Sequence, residues 1–419
     1  LKSFIELLKK GLSKFFFNFL SNFIQQGLRF LVLYLAAYKL GPAVFGTISV
    51  IILYSSYLLN SNLGAINGLK RQIPIKYKLV GKDEVDAASF SVLIFNVIST
   101  FVFTSIVCIF LVTSKTLDLL DSLYLLVLSV CSSNYFFAQT YVIANQLWTK
   151  LQSLQFIASA FLSVSVFVLW LFGKSLFLIS YSISFLIPAI IILSKQMKMS
   201  IFRLSFIKEN LKIGFPIMIA GFIFFFFQTT DRLIVSKNYD KEIFGVYALA
   251  TTLISGFGLF TNLASEIILQ KGINYFVLTK SKSLLRRYLG KITIGVAISL
   301  LPILILAYLF FQFIIENYFP LYCTSLPIIK NLLCAFFLQQ LCIGFGNYYY
   351  IIGAQLLYNS MLALSAIMCF CILSYPYFFG LPDTTIFISK RFIICSALYS
   401  ALIILAALFN AKKYKPKIS

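Results

Sequence analysis

The chain has 419 residues, of which 60% are hydrophobic and only 11% charged. A soluble domain carries charge at about a quarter of its residues, so this composition excludes an ordinary water-soluble globule. The net charge of +22 would suggest a nucleic-acid partner in a soluble chain; here the charges sit in short segments between apolar blocks, which points to membrane orientation and away from nucleic acid.

The blocks run about 20 residues each, enough to cross roughly 30 Å of hydrocarbon at about 1.5 Å per residue. Backbone groups in lipid must be satisfied within their own segment, so the blocks are helices. Twelve spans are predicted: 15–38, 43–66, 87–112, 120–144, 153–172, 175–194, 213–236, 243–265, 292–315, 325–350, 356–380 and 387–410. The expected fold class is an all-α integral membrane protein of about twelve transmembrane helices.

The first span carries Asn18, Asn22, Gln25 and Arg29, spaced i, i+4, i+7 and i+11. At about 100° per residue these four share a narrow arc. One reading makes the amides glue between helices. The other makes the stripe part of a polar cleft, and Arg29, well inside the span, favours it, because a charge near the bilayer centre costs about 2.5–3.5 kcal/mol on insertion scales.

After the first span comes Leu40-Gly41-Pro42-Ala43-Val44-Phe45-Gly46, and 199 residues later Tyr239-Asp240-Lys241-Glu242-Ile243-Phe244-Gly245. Each places a short turn before Phe-Gly at the start of a span. Six spans per half then give a parallel repeat about an axis along the membrane normal, with two six-helix bundles around a central cleft. The divisions expected are an N-terminal bundle over 1–194, a basic cytoplasmic linker over 195–212 and a C-terminal bundle over 213–419. The acidic cluster Asp83-Glu84-Val85-Asp86 lies among lysines in a short loop and reads as solvated.

In the seventh span Asp231 and Arg232 follow Gln228, either as cleft residues or as a local pair with a snorkelling arginine. The eighth span carries Thr251, Ser255, Asn262 and Glu266, the last close to the inner interface. Asp231 and Glu266 are the candidates for coupling transport to protons or sodium. Gln340 and Asn347 share a face of the tenth span, and Tyr348, Tyr349 and Tyr350 beside them read as an interfacial aromatic belt. Charges within the spans or at their margins are Arg29, Arg232, Lys330, Lys390 and Arg391 against Asp231 and Glu266. That positive bias suits an anionic head group, since guanidinium donates two parallel hydrogen bonds to phosphate and stays ionised.

The remaining basic residues sort by side. Those at 2–14, 70–82, 150, 195–212, 271–291 and 412–417 fall on one face, with only Lys39, Lys115, Lys174, Lys237 and Lys241 on the other. The positive-inside rule then places both termini in the cytoplasm. No predicted loop exceeds roughly 25 residues, leaving no room for a soluble catalytic domain. The chain has no His, and Cys369 and Cys371 lack a second pair, so no metal is expected. Nothing resembles a nucleotide-binding loop either, and no cofactor is expected.

Four motifs carry a family likeness: Lys39-Leu40-Gly41-Pro42-Ala43-Val44-Phe45-Gly46, Gly214-Phe215-Pro216, Asp231-Arg232-Leu233 and Phe244-Gly245-Val246-Tyr247-Ala248. In their order and spacing they resemble the polysaccharide flippases of the O-antigen (Wzx) type. These belong to the multidrug/oligosaccharidyl-lipid/polysaccharide exporter superfamily. The motifs cover the starts of both halves, and the last four spans match in topology and composition. The resemblance implies a bacterial inner-membrane exporter. Its cargo would be undecaprenyl-pyrophosphate-linked oligosaccharide, carried to the periplasmic face with membrane lipid and other polysaccharide-assembly proteins as partners. Arg29, Asp231 and Arg232 are the positions carried over.

The rival in transport is a cation-coupled multidrug antiporter of the same superfamily. It calls for deep carboxylates where the first span has only Arg29. Lipid II export is a third possibility and would come with about fourteen spans. The rival of another class is a membrane glycosyltransferase or O-antigen polymerase. The former wants an Asp-x-Asp-type metal site and the latter a large outer loop, and the sequence shows neither.

Overall fold

The structure, a computed structural model, describes the backbone of residues 2–380 and 383–410; the side chains of 2–16, 18–19, 259–260, 262–263, 266 and 410 lie outside that description. Among the described residues every regular element is helical. The chain divides into two compact units, residues 1–222 and 223–419.

The first unit opens with α1 (Lys2–Leu58), followed by α2 (Ala65–Gln72), a π-helical turn (Ile73–Tyr77) and the short α3 (Lys78–Val80). Then come α4 (Lys82–Thr113), α5 (Leu119–Ala144), α6 (Trp148–Phe172), α7 (Lys174–Gln196) and the start of α8 (Leu204–Asn238). The second unit takes the rest of α8, then α9 (Lys241–Thr279), α10 (Lys282–Tyr318), a 3₁₀ turn (Pro320–Ser325), α11 (Leu326–Gln340), α12 (Ile343–Ile351), α13 (Gln355–Phe378) and α14 (Thr385–Asn410).

Ten stretches among the described residues are long and apolar enough to cross a membrane, and the chain is a multi-pass membrane protein. One of the ten, Leu20–Leu58, holds two of the predicted spans. The helix breaks between them at Gly41, whose φ of 74° and ψ of 173° leave helical space. Glycine adopts that φ without a Cβ penalty, and Pro42 is preset for the first turn of the next helical stretch. The predicted eighth span lies in α9. The predicted tenth span is not one helix: it is α11 and α12, interrupted at Leu341 and Cys342. The second predicted span also ends early, because the chain turns at Leu63 and Gly64, both with positive φ.

The repeat noted in the sequence has a local counterpart. Gly41 breaks α1 four residues before Phe45, and the extended Asp240 precedes α9 four residues before Phe244. Both phenylalanines are buried.

Burial follows the logic of a lipid solvent. Large apolar side chains such as Ile98, Phe101, Ile106 and Phe110 on α4, or Ile298, Leu306 and Phe310 on α10, face outward. Small residues and hydroxyls occupy the interior, with Ala36 and Ala37 on α1 and Ala158 on α6 fully buried. Small residues let helix backbones approach closely where lipid gives no hydrophobic incentive to associate.

That approach is tightest where α2 meets the start of α8. A Cβ added at Gly214 would lie 1.8 Å from the Gly64 carbonyl oxygen, and one at Gly68 2.0 Å from the Asn210 carbonyl oxygen. Nearby, the Glu209 carboxylate accepts from Gln72 (2.9 Å) and from Lys76 (2.5 Å). Asn210 donates to the hydroxyl of Tyr77 at 3.0 Å. The basic segment expected as a linker is therefore helical from Leu204 onward and docked within the first unit.

Candidate functional site

The polar stripe of α1 turns inward. Ser21 donates to Oε1 of Gln155 on α6 at 2.5 Å, and Gln25 donates its amide to the hydroxyl of Tyr135 on α5 at 2.6 Å. Gln25 is buried, Asn22 half-buried, and the side chain of Asn18 lies outside the described residues.

One turn beyond Gln25, Arg29 is half-buried with its guanidinium carbon 5.1 Å from the centre of the Phe185 ring. Tyr181 and Phe185, one turn apart on α7, meet edge to face at 5.3 Å. Tyr135 packs against the same Phe185 at 5.6 Å, and both tyrosines lie within electrostatic reach of Arg29. Phe185 thus presents its ring to the cation, where the aromatic face supplies negative potential, and Tyr135 and Tyr181 flank it from two helices. Among the described residues no carboxylate is paired with Arg29.

The second unit holds a different arrangement. Asp231 on α8 is buried and accepts a hydrogen bond from the hydroxyl of Tyr247 on α9 at 2.6 Å. Its other oxygen, Oδ1, has no hydrogen-bond partner among the described residues. The half-buried Arg232 beside it likewise has an unpartnered Nε. Thr229 and Thr230 donate to carbonyls one turn back and leave the helix intact. Phe227 closes the apolar side against Tyr399, with ring centres 4.8 Å apart. The Glu266 side chain lies outside the described residues, as does that of Asn262. Asn347 donates to the carbonyl and hydroxyl of Ser265, both at 3.1 Å.

Gln25 and Arg29 are therefore brought together around Tyr135, while Asp231 and Arg232 form a separate cluster in the second unit. The sequence reading missed the rings that hold them: Tyr135, Tyr181, Phe185 and Tyr247. The available signal was the i, i+4 pair Tyr181 and Phe185 within a lipid-length block.

Three other readings need correction. Tyr348 and Tyr349 are fully buried, with Tyr349 donating to the Ile403 carbonyl at 3.1 Å, so only Tyr350 fits an interfacial belt. Asp86 is buried rather than solvated, although Asp83 is exposed as expected. Arg391 does not simply snorkel; it pairs with Asp383, which is nearly buried.

No protein-family model matches the chain, and no curated protein matches it in sequence. Solved structures do match in fold. The lipid II flippase MurJ, in an inward closed conformation, aligns over 94% of this chain and 87% of its own, with a TM-score of 0.66 and 14% identity. An inward-facing multidrug resistance transporter of the MATE family and MOP superfamily aligns over 92% and 94%, with a TM-score of 0.65 and 11% identity. A MOP-superfamily transporter from Pyrococcus furiosus, described as having a binding pocket of reversed polarity, aligns over 96% of both chains, with a TM-score of 0.54 and 12% identity. The chain has the fold of MOP-superfamily transporters.

Proposed function

We propose that this protein is a flippase that moves a lipid-linked oligosaccharide, carried on undecaprenyl pyrophosphate, across the bacterial inner membrane by alternating access. The observation that carries the reading is Arg29: a cation within a membrane span, held against Phe185 and paired with no carboxylate among the described residues. A diphosphate is the natural counterpart of such a group, because guanidinium meets it with two parallel, charge-assisted hydrogen bonds. The described lipid II flippase with the same fold, and the motif resemblance to O-antigen flippases, support the cargo class.

In this reading Arg29 and the amides of Asn18, Asn22 and Gln25 replace water around the pyrophosphate and the first sugars. The polyprenyl tail stays in lipid, and no bond in the cargo is made or broken. Arg232, with its unpartnered Nε, is the second cation proposed to meet the cargo. Asp231 and Glu266 are the proposed coupling groups for a proton or sodium ion. The motif resemblance supports the inner-membrane location, and the charge asymmetry of the loops supports cytoplasmic termini.

Purified protein in proteoliposomes loaded with a fluorescent undecaprenyl-pyrophosphate oligosaccharide tests the proposal directly. Lectin protection should report movement across the bilayer in the wild type and its loss in Arg29→Ala. Equal movement in both, or none in either, would overturn the reading.

A second reading rests on the unpartnered Oδ1 of Asp231, a deep carboxylate oxygen able to meet an organic cation. Under that reading the same vesicles export a cationic dye, Asp231→Asn stops it, and the lipid-linked sugar stays in place.

A further inference from the structure

The two longest connections within the first unit, residues 59–81 and 197–203, lie outside the candidate spans. Both sit in strongly basic surroundings: 70–84 and 195–212 together hold ten Lys and Arg against three Asp and Glu. Two of those three carboxylates are taken, Glu209 by Lys76 at 2.5 Å and Glu84 by Arg203 at 3.8 Å. Lys70, Arg71, Lys82, Lys195, Lys198 and Lys208 are exposed and in no ion pair among the described residues.

Those two ion pairs also draw the connections into one surface, since each joins one stretch to the other. Further contacts fix its level. Lys78 donates to the carbonyl of Asn145, just past the end of α5, at 3.3 Å. Tyr141 on α5 donates to the carbonyl of Gln196, the last residue of α7, at 3.0 Å. The backbone of Arg203 donates to Ser91 on α4 at 2.9 Å. α5 has 26 residues and α7 has 23, close to what crossing about 30 Å of hydrocarbon takes. Their shared end therefore lies where the chain leaves the lipid.

At that level the apolar side chains divide. Ile73 and Tyr77 turn inward, with the Tyr77 ring edge to face with Phe206 at 5.6 Å. Ile75, Leu79 and Val80 face outward, as do Met199, Ile201 and Phe202; Leu79 is 82% exposed and Met199 90%. A single exposed apolar side chain is ordinary. Six of them interleaved with bases at the ends of spans have the composition of a segment lying in a membrane surface. There the apolar groups enter among acyl chains while the ammonium groups reach the phosphates.

We propose that residues 70–82 and 195–208 form an interfacial collar that binds anionic phospholipid in the adjoining leaflet. The lipid phosphates meet Lys78, Lys82, Lys195 and Lys198, and Leu79, Val80, Met199 and Ile201 insert beside the acyl chains. Zwitterionic lipid offers the same acyl chains without net charge and binds more weakly. Each base near an anionic surface contributes on the order of five-fold to partitioning.

Native mass spectrometry of the full chain in neutral detergent, titrated with phosphatidylglycerol or phosphatidylcholine, reads this binding without any cargo. Wild type should retain phosphatidylglycerol in preference. Lys78→Gln with Lys198→Gln should weaken phosphatidylglycerol retention by more than roughly tenfold and leave phosphatidylcholine unchanged. Lys39→Gln with Lys115→Gln is the control, at the far ends of α6 and α4, and should stay near wild type. Leu79→Gln with Met199→Gln should weaken both lipids. Soluble glycerol phosphate, a head group without tails, should not displace bound lipid. Should the Lys78 and Lys198 variant not fold, Lys195→Gln with Lys208→Gln is judged by the same outcomes. Equal retention of the two lipids by wild type overturns the proposal and leaves the bases to an acidic protein partner. Equal losses in collar and control variants, or retention indifferent to Leu79→Gln with Met199→Gln, overturn it as well. Displacement by glycerol phosphate overturns it in favour of a site for free phosphate.

Discussion

Gln25 and Tyr135 stand 110 residues apart in the chain and share a hydrogen bond of 2.6 Å in the interior of the first unit. The bond ties the polar stripe of α1 to α5, one turn from Arg29, and sets the ring of Tyr135 against Phe185. An amide that fixes a tyrosine, which in turn walls a cation, makes the geometry around Arg29 depend on neutral neighbours.

Arg29 itself should be needed for transport far more than for folding. A cation over an aromatic face contributes about 0.5–2 kcal/mol, so Arg29→Ala should cost at most that in thermal unfolding. Cell-surface polysaccharide, assayed in a strain complemented with the variant, should be abolished. Arg29→Lys keeps the charge but not the planar fork and should retain partial export.

Gly214 is expected to reject even a methyl group. Its Cβ would lie 1.8 Å from the Gly64 carbonyl oxygen and 2.5 Å from the Gly68 nitrogen, both backbone atoms. Forced separation of this kind costs about 1–3 kcal/mol or more. Gly221, on the same helix with nothing within 4 Å, is the control. Gly221→Ala should stabilise by up to about 1 kcal/mol, the helix-propensity difference. Melting temperatures in detergent should move in opposite directions for the two variants.

At Asp231 the two halves of one hydrogen bond should behave unequally. Tyr247→Phe leaves a buried carboxylate with no side-chain donor and should cost about 1–3 kcal/mol in stability. Asp231→Asn keeps an oxygen for the Tyr247 hydroxyl and should melt close to wild type. If Asp231 couples an ion, the same Asn variant loses the response of transport to an imposed proton or sodium gradient.

The Asp383–Arg391 pair is the fourth test. The side chains are 4% and 19% exposed, so Asp383→Asn leaves a mostly buried guanidinium without its counter-charge. A loss on the order of 2 kcal/mol is expected, since stranding one member of a buried pair costs more than the pair itself contributes. Arg391→Met together with Asp383→Leu should recover much of it, as read by thermal unfolding.

The spans were legible because lipid leaves a helix no alternative, and a block of the right length declares itself. The Gly41-Pro42 break was legible for the same local reason. The interruption at Leu341 and Cys342 was not, since neither residue is a glycine or proline and the stretch around them has the length of a single span. The stripe ending at Arg29 could be read from its period alone. Its aromatic walls could not, because Tyr135 and Phe185 come from helices whose pairing depends on packing rather than on spacing. Asp86 misled for a related reason: three charged neighbours in sequence advertised a solvated loop, while the helix turned that one carboxylate inward. Tyr348 and Tyr349 looked like an interfacial girdle by composition, and only the break before α12 carries them into the interior.

The glycine crossing of α2 and α8 bears on how a saturation screen of this protein would look. Positions 64, 68 and 214 leave no volume for any other amino acid, so nearly every substitution there would score as loss of function. A map of intolerant sites would then light up at a packing joint as brightly as at any residue that serves transport. Membrane abundance measured alongside activity would tell a broken joint from a lost transport residue.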